Sequence, residues 1–208
     1  MYYLDLLGTL AFAISGAFKA KGQKLNIFGV IFLGIITAVG GGTIRDLIIG
    51  RTPLFYLLDK NYLIIAILGG VLAYFVPTFF KRRYSLFRFL DSIGLATFAI
   101  IGTAISFKYL YHDINIISTI SSISLGVFTA SGGGILRDAI MGDVPYALKH
   151  GSNYIKSAFW GSLIFFALMN INQVIAVIVS MSIVILLREF ISHYGIYHKI
   201  FLNSKQMY

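Results

Sequence analysis

The 208 residues contain no cysteine, which excludes a disulfide framework and any thiolate metal site. Charge is almost as scarce: Asp, Glu, Lys and Arg make up 12% of the chain, too little to cover the surface of a soluble domain of this length. Acidic residues are the rarer kind, 8 against 17 basic ones. The resulting net charge of +9 does not point to nucleic acid, because the basic residues gather at the ends of apolar runs, as lipid-headgroup anchors do. His112, His150, His193 and His198 fall in predicted loops or the tail without ligand spacing, so no metal site or cofactor is expected. No His-Glu, Ser-His or paired-carboxylate constellation points to an enzyme.

What the chain has is apolar length. Hydrophobic residues reach 58%, and the mean hydropathy is +0.83. Several runs approach the ~20 residues needed to cross a ~30 Å hydrocarbon core. Hydropathy predicts an all-α integral membrane protein with spans at about 4–18, 27–49, 61–80, 89–107, 114–141, 154–171 and 173–191. The start, Met1-Tyr2-Tyr3-Leu4-Asp5, lacks the basic region of a signal peptide and is read as part of the fold. Lys19, Lys21, Lys24, Lys81, Arg82, Arg83, Arg88, Lys149, Lys156, Lys199 and Lys205 then share one side, against Arg51, Lys60 and Lys108 on the other. That bias predicts an N-terminus outside and a cytoplasmic C-terminus.

The chain also repeats itself. Asp5, Gly8, Phe12-Ala13-Ile14 and Gly16 recur as Asp91, Gly94, Phe98-Ala99-Ile100 and Gly102. Gly40-Gly41-Gly42, Arg45-Asp46, Gly50 and Pro53 recur as Gly132-Gly133-Gly134, Arg137-Asp138, Gly142 and Pro145, and Asn61-Tyr62 as Asn153-Tyr154. Three blocks in the same order indicate a duplication. Because each copy holds three spans, the second must enter the bilayer from the opposite face. The expected architecture is 3+3 inverted repeats, residues 1–80 and 88–172, followed by a seventh helix at 173–192 and a tail at 193–208.

Two features inside the spans invite a functional reading. Each glycine of a triplet costs about 1 kcal/mol in a helix interior, so three in a row predict a kink or break that frees carbonyls to meet a cation. The alternative is close packing, since Gly34-x-x-x-Ala38-x-x-x-Gly42 and Gly126-x-x-x-Ala130-x-x-x-Gly134 are small-residue faces. Packing needs a small residue only every fourth position, which favours the kink. The charged pairs Arg45-Asp46 and Arg137-Asp138 sit a turn beyond. Neighbouring helical residues do not face each other, so each arginine is expected to pair elsewhere, Arg45 with Asp5 and Arg137 with Asp91. A register-fixing role or snorkelling to lipid phosphate is the plainer alternative. Thr37 and Thr129, a turn before the triplets, either offer hydroxyls to a pore or bond their own helix.

The doubled Gly-Gly-Gly-x-x-Arg-Asp with its downstream Gly and Pro, in a chain of this length, resembles the prokaryotic trimeric intracellular cation (TRIC) channel family. The resemblance covers nearly the whole chain apart from its last dozen or so residues. It implies a homotrimer in the prokaryotic inner membrane, with one pathway for K⁺ and Na⁺ inside each protomer, between glycine-kinked helices two and five. The pathway would be lined by Gly40, Gly41, Gly42, Gly132, Gly133 and Gly134 with Thr37, Thr129 and Ser131, and gated by Arg45, Asp46, Arg137, Asp138, Asp5 and Asp91. Animal members carry a lysine before the glycines for phosphoinositide binding. Val39 and Ser131 stand there in this chain, so that lipid site is not carried over. A secondary transporter of a small amino acid such as glycine remains the alternative, since inverted repeats and half-helix N-termini also suit that task.

Overall fold

The computed structural model describes residues 1–76, 83–111 and 113–203, with the side chains of 83, 84 and 190–203 outside the description. The described chain is helical: α1 Tyr2–Gly22, α2 Ile27–Ile48, α3 Phe55–Leu58, α4 Asn61–Phe75, α5 Arg83–Leu110, α6 Ile116–Ile140, α7 Tyr154–Leu168 and α8 Gln173–Asn203. A 3₁₀ turn, Tyr146–Leu148, stands where α3 stands in the first half. α2, α6 and residues 85–110 of α5 are long and apolar enough to cross a membrane, and α4 and α7 are shorter apolar helices. Each predicted span holds one of these helices, and the long fifth span is a single unbroken helix, α6. Residues 77–80, Lys81, Arg82, His112 and Lys205 lie outside the described residues, as do the side chains of Arg83, His193, His198 and Lys199.

Local chemistry sets the ends of the two central helices. Asn26 caps α2 by accepting from the Gly29 N–H at 2.9 Å, and Asn115 forms a reciprocal capping box with Ser118 at the start of α6. Both helices finish alike. Gly50 (φ +70°) and Gly142 (φ +72°) turn the chain in the left-handed region, where a side chain would be strained. The N–H of the next residue, Arg51 or Asp143, returns to the carbonyl of Asp46 or Asp138 at 2.8 and 3.0 Å.

The core is made by α1 and α2 packing on α5 and α6. Gly8 of α1 abuts Thr97 of α5 while Gly94 of α5 abuts Phe12 of α1, so these two helices pack antiparallel. The Phe12 and Phe98 rings meet at 5.2 Å in the centre, both buried. On α2 and α6, Gly41 faces the carbonyl of Thr129 and Gly133 faces the carbonyl of Thr37, which is the same antiparallel reciprocity. Large apolar side chains such as Phe28, Phe32, Ile116 and Ile120 cover the outside, as a lipid-facing surface requires.

Candidate functional site: a glycine seam between two charged mouths

The triplets do not break their helices. α2 and α6 run continuously through Gly40–Gly42 and Gly132–Gly134, which corrects the expected interruption and the free carbonyls drawn from it. Successive helical residues point about 100° apart, and each glycine of a triplet serves a different neighbour. The first faces an aliphatic tip of the partner helix, Leu136 against Gly40 and Ile44 against Gly132. The middle one meets partner backbone: a Cβ on Gly41 or Gly133 would run into the carbonyl of Thr129 or Thr37. The third holds an aromatic, Phe55 Cε1 lying 2.5 Å from a Cβ built on Gly42 and the Tyr154 hydroxyl 2.5 Å from one built on Gly134. Packing on three sides therefore accounts for three glycines in a row.

The threonines bond their own helices. Thr37 donates to the Leu33 carbonyl and Thr129 to that of Leu125, each at 2.6 Å, and both are fully buried. They pack against Gly16 and Gly102, one small residue from each half. Ser131 donates to Val127 at 2.7 Å. None of the three lines a described cavity in this conformation.

Both arginines curl back to the neighbouring carboxylate, contrary to the expectation for adjacent residues. Arg45 Nε donates to Asp46 Oδ1 at 2.8 Å, and Arg137 Nε to Asp138 Oδ1 at 2.8 Å. An arginine side chain is long enough to reach sideways where the Cβ vectors diverge. The second oxygen of each aspartate takes a backbone N–H beyond the helix, that of Phe55 at 3.2 Å and of Tyr146 at 2.8 Å. Asp46 and Asp138 thus tie the arginine to the turn that follows the helix.

From there the halves diverge. Arg137 also reaches Asp91, at 2.6 Å, as expected from the order of the spans. Asp5 makes no such pair with Arg45; it accepts from the Tyr62 hydroxyl at 2.9 Å instead. Arg45 lies over the Phe55 ring, 5.5 Å from its centre. Asp91 gains a second arginine, Arg188 of α8, at 2.8 Å. Arg188 also stacks on Tyr154, 4.3 Å from its centre. Next to it Glu189 binds Arg88 at 2.8 Å and Ser92 at 2.9 Å. Sequence reasoning reads the tyrosines, Tyr62 and Tyr154 among them, only as packing or interfacial residues and assigns no role to Arg188 or Glu189. The tyrosines were visible as part of the repeat, and a lone Arg-Glu pair in the seventh span was a signal on its own.

Two cavities lie at opposite ends of α1 and α5. One, of about 590 Å³, is lined by Lys19, Arg88, Asp91, Arg137, Asp138 and Arg188 among others. The other, of about 530 Å³, is lined by Asp5, Lys108, Asn170 and Gln173 with apolar neighbours. The buried Phe12 and Phe98 rings sit midway along α1 and α5, between the stretches that line the two cavities. Beside the second mouth, hydrogen bonds from Tyr2 and from the Asn61 N–H hold the exposed Asp59 carboxyl below its ordinary range. Lys19 and Lys21, read as headgroup anchors, are engaged by protein. Lys21 donates to the carbonyls of Tyr74 and Val76 at the end of α4.

A family model described as "Glycine transporter" matches residues 2–78 and 88–170. A UPF0126 membrane protein of Deinococcus radiodurans is 41% identical over 148 residues, 70% of this chain and 65% of that one, so the chain spans slightly under two thirds of that relative. The UPF0126 inner membrane protein YadS of Escherichia coli is 35% identical over 72% of this chain and 70% of its own. Among solved structures, a TRIC trimeric intracellular cation channel orthologue from Rhodobacter sphaeroides is 33% identical, covering 90% of this chain and 94% of that one, with a TM-score of 0.81. A prokaryotic TRIC channel in 0.5 M KCl is 28% identical over 94% and 98% of the two chains, with a TM-score of 0.82. The chain is an integral membrane protein of the family that the glycine-transporter model describes, together with the UPF0126 membrane proteins, and it has the fold of the prokaryotic TRIC channels.

Proposed function

We propose that the protein is a monovalent cation channel, passing K⁺ and Na⁺, with one pathway in each protomer of a homotrimer. The halves 1–80 and 88–172 are inverted repeats, followed by the seventh helix, 173–192, and the tail, 193–208. The antiparallel packing of the equivalent helices α1 and α5, and of α2 and α6, supports that arrangement. The carrying observation is the pair of cavities with charged lining at opposite ends of this core, with the buried Phe12–Phe98 contact and the glycine seam lying along the same helices between those ends. Two solved relatives of the same fold are cation channels, which agrees with this reading.

Conduction follows when α2 and α6 part at the seam. Their separation uncovers the Thr37 and Thr129 carbonyls that Gly133 and Gly41 now cover, along with polar Ser131. Each carbonyl keeps its bond within the unbroken helix, and its second lone pair can then replace part of an ion's hydration shell. The arginines do not repel the ion because each is already matched by a carboxylate, Arg45 by Asp46 and Arg137 by Asp91 and Asp138. These ion pairs gate the two mouths. The mouth holding Lys19, Arg88 and Lys149 faces the cytoplasm by the positive-inside rule, in the inner membrane as for YadS.

A secondary transporter of a small amino acid such as glycine is the second reading, favoured by the description of the matching family model. Arg137 and Arg188 at one cavity are the groups that a substrate carboxylate would meet. Purified protein in planar bilayers separates the two. The channel gives discrete unitary currents whose reversal potential follows the cation gradient. Saturable glycine counterflow without unitary currents would establish the transporter instead.

A further inference from the structure

Lys19 stands apart in the comparison of the two halves. Asp46 and Asp138 do the same local work, each held by its neighbouring arginine and by a backbone N–H beyond the helix. The outer cation beside Asp46 is Arg51, five residues on in the same segment, at 3.7 Å. In the second half the corresponding position is Asp143, so that segment supplies a second carboxylate instead of a cation. The missing charge comes from another helix. Lys19, at the end of α1, places its ammonium 2.8 Å from Asp138 and 2.7 Å from Asp143, at the lining of the larger cavity.

This contact is not needed to satisfy Asp138, which already has Arg137 and the Tyr146 N–H. It is a strut between the half that carries α1 and the end of α6. The Lys19 side chain is 20% exposed and that of Asp143 42%, so their contact is of the weak, reversible kind, whereas the 3% exposed Asp138 holds the ammonium on its buried side. An ammonium between two carboxylates occupies a place that also attracts a monovalent cation. Resting on the channel reading above, we propose that Lys19 is a tethered cation that closes this mouth. Its ammonium must leave Asp138 and Asp143 before ions pass.

The test uses full-length protein in planar bilayers. Lys19→Met keeps the apolar stem and removes the charge, and it raises open probability about fivefold, the factor that corresponds to a part-exposed ion pair. The charge-swapped double variant, Lys19→Asp with Asp143→Lys, restores closure relative to either single change. Because the chain has no cysteine, Lys19→Cys with Asp143→Cys gives a clean cross-linking pair. A short bis-methanethiosulfonate reagent, which joins each cysteine to the linker through a disulfide with loss of methanesulfinate, shuts this channel, and a reductant reopens it. Lys19→Met currents equal to wild type overturn the proposal, as does a cross-linked channel that conducts like the reduced one, or a pair that does not cross-link. Wild-type protein without unitary currents overturns the channel reading itself, so the two failures are distinct.

Discussion

Asp91 and Asp5 occupy equivalent places in the repeat but carry different burdens. Asp91 bridges two buried arginines, Arg137 and Arg188, whereas Asp5 accepts from a neutral tyrosine. Removing one partner of a buried ion pair leaves the other charge uncompensated, at about 3–5 kcal/mol. Asp91→Asn is therefore expected to lower the melting temperature sharply in detergent. Asp5→Asn, which keeps an acceptor for Tyr62, should cost about 1 kcal/mol. A double-mutant cycle should give coupling above about 1 kcal/mol for Asp91 with Arg188, and less for Asp5 with Arg45. The order of the spans made the Asp91–Arg137 contact legible in the sequence. The matching pair in the first half was not, because Tyr62 and Asp46 compete for the same two groups. Side-chain reach, unlike Cβ direction, does not follow from helical periodicity alone.

At the level of elements, the helix seam depends on glycines that differ in what they face. Gly41→Ala and Gly133→Ala drive a methyl into a partner carbonyl, and overpacking against backbone costs about 1–3 kcal/mol. Gly40→Ala meets the movable Leu136 tip and should cost less, a ranking that thermal unfolding of the purified variants checks. The helices themselves were readable because long apolar runs flanked by charge admit few other structures in a membrane. The expected break was misjudged because the triplet was weighed against one packing face, whereas α2 and α6 use three. The short helix α3 and the 3₁₀ turn at Tyr146–Leu148 left no hydropathy signal, being too brief to bury a face. The role of α8 was missed for a different reason. As the helix without a counterpart it had no repeat to mark Arg188, yet it holds α5 through Arg188–Asp91 and Glu189–Arg88.

For the whole molecule, the two halves place a cavity with charged lining at each end of α1 and α5, and α8 adds Arg188 to only one of them. The larger cavity is braced by Lys19, Arg88, Arg137 and Arg188, while the smaller one has Asp5 and Lys108. The central claim is that these cavities are the two ends of one ion route across the membrane. Single cysteines in this cysteine-free chain test it directly, Lys149→Cys at one rim and Lys108→Cys at the other, with a bulky impermeant thiol reagent added to one side of a planar bilayer at a time. Unitary current should fall for Lys149→Cys only from one side and for Lys108→Cys only from the opposite side. Block of both variants from the same side, or modification of both without any change in current, would contradict it.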